Sequence, residues 1–142
     1  MALYLDTSAL VKLFVHEPGS DAVEKAVEED ADVHVGWLTP HEFFSAIARR
    51  QRTGELSQEQ VLALQAELRA LLASCVRVVP YSETLSQRAL VLLEKYGPEG
   101  LRTLDSFQLA TGFEARHAQF GVADKLLGEI ARKAGLGVML FG

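Results

Sequence analysis

Four carboxylates spread along the chain, Asp6, Glu42, Asp105 and Asp124, could together do chemistry that none of them does alone. Asp6 ends a short apolar run and opens Asp6-Thr7-Ser8, three residues that favour helix N-caps. Glu42 follows Thr39 by three positions with Pro40 between them, the spacing of a capping box. Asp105 is set in Leu101-Arg102-Thr103-Leu104-Asp105-Ser106-Phe107-Gln108-Leu109-Ala110, whose Leu and Phe positions predict a largely buried helix. Asp124 follows an apolar stretch and precedes a helical one. Capping and the helix dipole explain each acid singly. As a set they mean something else: carboxylates meeting in one crevice repel one another and raise one another's pKa values. Burying an acid without a charge partner is also costly. A divalent cation is the usual remedy, and an all-oxygen donor set favours Mg²⁺ or Mn²⁺.

The elements that must position these acids read as short apolar strands alternating with helices. Strands are predicted over 1–5, 33–38, 75–79, 119–123 and 138–141. Helices are predicted over 9–15, 20–29, 39–53, 57–74, 82–96, 103–117 and 125–134, with a break at Gly97-Pro98-Glu99-Gly100. That alternation means βαβ units and a mostly parallel sheet covered on both faces. In such a sheet the ligand site lies beyond the carboxyl ends of the strands, where the winding reverses. Asp6 and Asp124 directly follow strands, and Glu42 lies in the first turn of a helix after one.

The 142 residues fit one domain with a sizeable core, and 49% apolar against 23% charged residues excludes a disordered chain. A single cysteine, Cys75, excludes a disulfide framework and a thiolate zinc cluster; at a helix-to-strand junction it is expected to be a small buried hydrophobe. Apolar runs too short for a membrane span and no signal-peptide pattern lead to the expectation of a cytoplasmic protein without membrane contact. The formal net charge of −5 argues against nucleic-acid binding by bulk charge and leaves room for a local basic surface.

Leu5-Asp6-Thr7-Ser8-Ala9-Leu10-Val11-Lys12, Leu38-Thr39-x-x-Glu42, Leu101-Arg102-Thr103-Leu104-Asp105 and Val122-Ala123-Asp124-Lys125-x-Leu127 resemble, in order, the four acidic motifs of PIN-domain ribonucleases. Within that family the resemblance is to the VapC-type toxins of type II toxin–antitoxin pairs, and it spans essentially the whole chain as one domain, 1–142. It implies a three-layer sandwich in which a mostly parallel five-stranded sheet, order 3-2-1-4-5, is flanked by helices. It also implies Mg²⁺-dependent endoribonuclease activity, with Mn²⁺ able to substitute, yielding a 5′-phosphate and a 3′-hydroxyl. Asp6 and Asp105 would be the principal metal ligands, and Asp124 would complete the shell directly or through water. Glu42 would orient or deprotonate the attacking water, or help hold a second ion. The implied partners are an RNA substrate, a cognate antitoxin and a second copy of the chain. In one departure, Val122 stands two before the fourth acid, where the family usually carries Thr or Ser.

Ser8 or Thr7 could hydrogen-bond a ligand carboxylate or a metal-bound water, or simply cap the following helix. Arg49, Arg50 and Arg52 close the helix that begins near Glu42. They either complement its dipole or, with Lys12 and Arg102, contact RNA phosphates in salt-sensitive fashion. Trp37 and Phe43-Phe44 are core residues or base-stacking platforms. Excess leucine over 57–74 and in Ala89-Leu90-Val91-Leu92-Leu93 leaves room for a subunit interface. Two other readings exist. A non-catalytic PIN-fold RNA- or protein-binding module would use its acids only as caps. A phosphotransfer domain of receiver or haloacid-dehalogenase type is disfavoured, because Ser8 replaces the dehalogenase's second Asp and no acidic pair precedes Asp6.

Overall fold

The computed structural model describes residues 2–30 and 32–142. Strands β1 (Ala2–Leu5), β2 (Asp32–Gly36), β3 (Arg77–Val79), β4 (Ala118–Val122) and β5 (Val138–Leu140) form one sheet in the order β3-β2-β1-β4-β5. Every pairing is parallel, with Leu3 opposite Val33 on one side and Gln119 on the other. The expected order thus holds, and the winding reverses between β1 and β4.

The period of two along β1 sends Leu3 and Leu5 to one face and Tyr4 to the other, and each face has its own core. Leu3, Leu5, Val33 and Val35 pack under helices α1 (Thr7–Val11), α2 (Ser20–Glu29), α3 (Thr39–Arg52) and α4 (Gln58–Ser74). Tyr4, Phe120 and Val122 pack under α5 (Glu83–Tyr96), α6 (Thr103–Glu114) and α7 (Lys125–Lys133). Helix, sheet and helix make the three layers. Phe43 is buried edge-on against Phe14, and Trp37 packs edge-on against Tyr81 and Phe107. Among the described residues no helix is long and apolar enough to cross a membrane.

The boundaries shift where capping chemistry intervenes. The helix predicted over 9–15 begins at Thr7 because the Asp6 side chain caps it, accepting from the Ala9 N–H at 3.0 Å. Of the strand predicted over 1–5, Met1 lies outside the described residues. The strand predicted over 33–38 stops at Gly36, although the Trp37 N–H still reaches the Val79 carbonyl at 2.9 Å. The Thr39–Glu42 capping box does not form: Leu38 is the N-cap of α3, without a side-chain bond. Cys75 is exposed rather than buried, because the chain reaches it just past the end of α4, beyond the packed face of that helix.

Gly36 lies against the second core so closely that a Cβ there would sit 2.6 Å from the Tyr4 Oη and 3.1 Å from the Thr111 Cγ2. Gly36→Ala is therefore expected to destabilise the protein by about 1–3 kcal/mol through overpacking. Urea denaturation measures this, and an unchanged midpoint would contradict the packing.

Candidate active site

The sheet pairing between β1 and β4 runs on to Asp6, whose N–H donates to the Gly121 carbonyl at 3.0 Å. The Asp6 carboxylate is thereby fixed at the reversal point, and the residue is only 5% exposed. Its Oδ1 accepts from the Ser8 hydroxyl at 2.7 Å and from the Ala9 N–H. The same Ser8 oxygen accepts from the Ala123 N–H at 3.1 Å, so this hydroxyl ties the ends of β1 and β4 to the acid between them. Burial pushes the Asp6 carboxyl up to about 7. The Ser8 and Ala9 hydrogen bonds offset part of that rise, and the negative charges of Glu42 and Asp105 add to it.

Glu42 enters from the first turn of α3. Its Oε1 accepts from the Thr7 hydroxyl at 2.8 Å and from the Gln108 Nε2 at 2.5 Å. Thr39, free of capping, accepts instead from the Gly36 N–H and from Gln108 Nε2, both at 3.3 Å. Asp105, in the first turn of α6, is half-buried, and its Oδ2 accepts from the Arg102 Nε at 3.3 Å. Burial raises its pKa; the Arg102 cation opposes the rise and the Asp124 charge supports it. Asp124 is exposed and caps α7, its Oδ1 accepting from the Leu127 N–H at 2.8 Å. Val122 is fully buried in the core beneath α7.

The acids are thus close enough to feel one another's charge but are not gathered at ligand distance. Among the described residues no three His, Cys, Asp or Glu side chains stand ready to hold an ion. Asp6, Asp105 and Asp124, expected to share one, each commit one oxygen to a neighbour on the chain. The donor set nevertheless suits a hard divalent cation. It is all oxygen, and among the described residues each of the three acids keeps its second oxygen uncommitted and the buried Asp6 has no cationic side chain paired with it. The contact competing for Asp105 is with a guanidinium that is 79% exposed, an ion pair of low cost to break.

A cleft of about 690 Å³ opens over Thr7, Ser8 and Glu42 and continues between basic side chains. Beyond Arg102, which borders both spaces, a hollow of about 330 Å³ holds Asp105 and Asp124. The basic residues divide into two kinds. Lys12 is buried, its ammonium donating to the Pro18 carbonyl at 2.6 Å and to Glu17 at 3.2 Å. Arg50 donates to Glu17 at 2.7 Å and lies 3.6 Å from Glu55. Burial alone would push the Glu17 carboxyl up, but its bonds to Arg50 and Lys12 outweigh that and hold it below the usual value. Arg49 and Arg52 line the cleft, exposed and without an ion pair among the described residues. Tyr4, Glu17 and Gln108 are the site residues to which sequence reasoning gave no role.

A model of the PIN domain family matches residues 3–133. The chain belongs to the PIN domain family. No curated protein sequence matches this PIN domain. Among solved structures it is similar to FitAcB from Neisseria gonorrhoeae, with a TM-score of 0.72 at 17% identity over 98% of this chain and 96% of that one. VapC20 from Mycobacterium tuberculosis, described as a sarcin-ricin loop cleaving toxin, also gives a TM-score of 0.72 at 17% identity, over 94% and 95% of the two chains. VapBC2 from Rickettsia felis, bound to a DNA fragment from its promoter, gives 0.71 at 13% identity over the full length of both. The fold is shared with these structures.

Proposed function

We propose that this PIN domain is a Mg²⁺-dependent endoribonuclease, with Mn²⁺ able to substitute. We further propose that it is the cytoplasmic toxin of a type II toxin–antitoxin pair, restrained by a cognate antitoxin and working as a homodimer. The observation that carries the reading is the buried Asp6, without a cationic partner among the described residues and pushed to near-neutral ionisation by burial and by the charges of Glu42 and Asp105. Such a group is poised to exchange its proton for a metal ion. A divalent cation held there would polarise the scissile phosphate, lower the pKa of the attacking water and steady the leaving oxygen.

The chain's own residues supply the rest. Asp6 and Asp105 are the principal ligands, Asp124 completes the shell directly or through water, and Ser8 holds Asp6 in place. Glu42 presents its second oxygen to the attacking water, orients it and takes its proton. Arg49, Arg52 and Arg102 meet the RNA phosphates. Lys12 and Arg50 are bound to Glu17 and brace the cleft wall, so their charge is partly cancelled before RNA arrives.

The RNA substrate is supported by the description of VapC20 as a toxin that cleaves the sarcin-ricin loop. An antitoxin partner is supported by the likeness to a chain of the toxin–antitoxin complex from Klebsiella pneumoniae, 98% of that chain being covered. Leu90 and Val91, adjacent on α5, are more than half exposed and suit a face between two copies. The non-catalytic alternative draws on one observation, that Asp6 and Asp124 do cap helices.

Cleavage of a structured RNA pool by the purified chain tests the reading. The expected products carry 5′-phosphate and 3′-hydroxyl ends, chelation by EDTA stops their formation and added Mn²⁺ restores it. Cleavage indifferent to chelation, or cyclic-phosphate ends, would contradict metal-assisted hydrolysis. RNA binding without cleavage would favour the binding module.

A further inference from the structure

Gln108 is 2% exposed, and the roles assigned above leave it none. Its hydrogen bonds nevertheless join three other elements: Tyr4 on β1, Thr7 on α1, and Thr39 and Glu42 on α3, at sequence separations of 66 to 104 residues. A carboxamide has an acceptor end and a donor end, and its direction decides what it can hold. Here the direction is set by Tyr4, whose hydroxyl donates to Gln108 Oε1 at 2.6 Å. The phenol has a single O–H to donate, and it is spent on this amide oxygen. With Oε1 fixed on Tyr4, the amide must turn its N–H groups toward Glu42. The reversed amide would set its carbonyl against a carboxylate.

Both bonds that Glu42 receives, from Gln108 and from Thr7, fall on Oε1. Oε2 is left uncommitted among the described residues, on a side chain that lines the cleft. The Tyr4 ring is itself held, stacked on Phe120 at 5.5 Å between centroids, with its hydroxyl in the space that the missing Cβ of Gly36 leaves.

We infer that Gln108, aimed by Tyr4, is a positioning residue for Glu42: it anchors one carboxylate oxygen so that the other alone faces the attacking water. This rests on the proposed role of Glu42. It makes Gln108 a determinant of turnover rather than of RNA binding, since nothing in the pair reaches the phosphate-binding arginines.

The test compares Gln108→Met, which keeps side-chain length and removes both ends of the amide, with Tyr4→Phe, which leaves the amide in place but takes away the donor that aims it. Glu42→Gln is the reference. On a fluorophore–quencher RNA hairpin with a randomised loop, both Gln108→Met and Tyr4→Phe are expected to lower apparent kcat about 10- to 100-fold, because misplacing a reacting group by about 1 Å costs that much. Apparent KM should stay within about 2-fold. A second readout needs neither metal nor RNA: in the metal-free protein the Gln108 side-chain ¹H–¹⁵N pair should be protected from exchange and should shift in both Glu42→Gln and Tyr4→Phe. Loss of cleavage in Glu42→Gln with full kcat in the other two variants would overturn the inference alone, as would a Gln108 amide signal indifferent to Glu42→Gln. A loss expressed only in KM would also overturn it. Unchanged cleavage in Glu42→Gln would overturn the role of Glu42 and the inference together.

Discussion

Asp6→Asn is expected to reduce RNA cleavage by at least about 100-fold while leaving the metal-free protein no less stable than the wild type, because metal positioning contributes several kcal/mol to the transition state and none to the apo fold. The two halves of that expectation separate ligation from capping. Asn keeps an oxygen for the Ser8 hydroxyl and the Ala9 N–H, so the cap on α1 survives. What it removes is a buried charge. The Asp6 carboxyl titrates near 7 in the fold but near 3.8 as a free side chain. Between those values the folded protein binds more protons than the unfolded chain, so the wild type loses stability as pH rises through that window. The loss is on the order of 4 kcal/mol at most, fully present above about pH 7 and absent below about pH 4. The variant should lack this slope and be the more stable of the two at pH 8. Urea melts of both metal-free proteins at pH 5 and pH 8 measure it. Identical slopes would mean that Asp6 is not the strained acid, and a large loss of Tm in the variant would return it to a capping role.

The parts of this molecule legible in the sequence are those whose signal is local. The parallel sheet and the place of the site follow from apolar runs alternating with helices, the strand order is what the resemblance to PIN domains implies, and Asp6 and Asp124 reveal themselves by ending strands. The Thr39–Glu42 spacing was misleading because a capping box and a tertiary hydrogen bond use the same residue types. Here Gln108, from another helix, takes both side chains and leaves the α3 terminus uncapped. The basic residues show the same limit. Lys12, Arg49, Arg50 and Arg52 look alike in sequence, yet Glu17 neutralises Lys12 and Arg50 and not the others. Gln108 itself carries no charge and sits in a run that reads as buried helix, so no local pattern marks it. Cys75 misled in the opposite sense, since a helix end offers a small apolar side chain no guarantee of cover.

Asp105→Asn should cost as much activity as Asp6→Asn for a different physical reason. Asp105 is half-buried; its charge acts on Asp6, and the charge of Asp124 acts on it. It is thus coupled by charge to both the buried acid and the exposed one, so Asp105→Asn removes an anionic ligand on which a cation at this site would depend. The substitution sacrifices only a weak contact with an exposed guanidinium, so the fold should tolerate it. Metal binding by the wild type should also strengthen as pH rises toward 7, because Asp6 must release its proton to become a ligand.

Calorimetric titration of the purified chain with Mn²⁺ at pH 8, with Asp105→Asn alongside, tests the acidic metal site without requiring that the RNA target be known. The expected result is saturable binding by the wild type that is lost in the variant. Equal binding in both would remove Asp105 from the shell. No binding by either at millimolar Mn²⁺ would contradict a metal-dependent nuclease and leave the non-catalytic binding module as the better description.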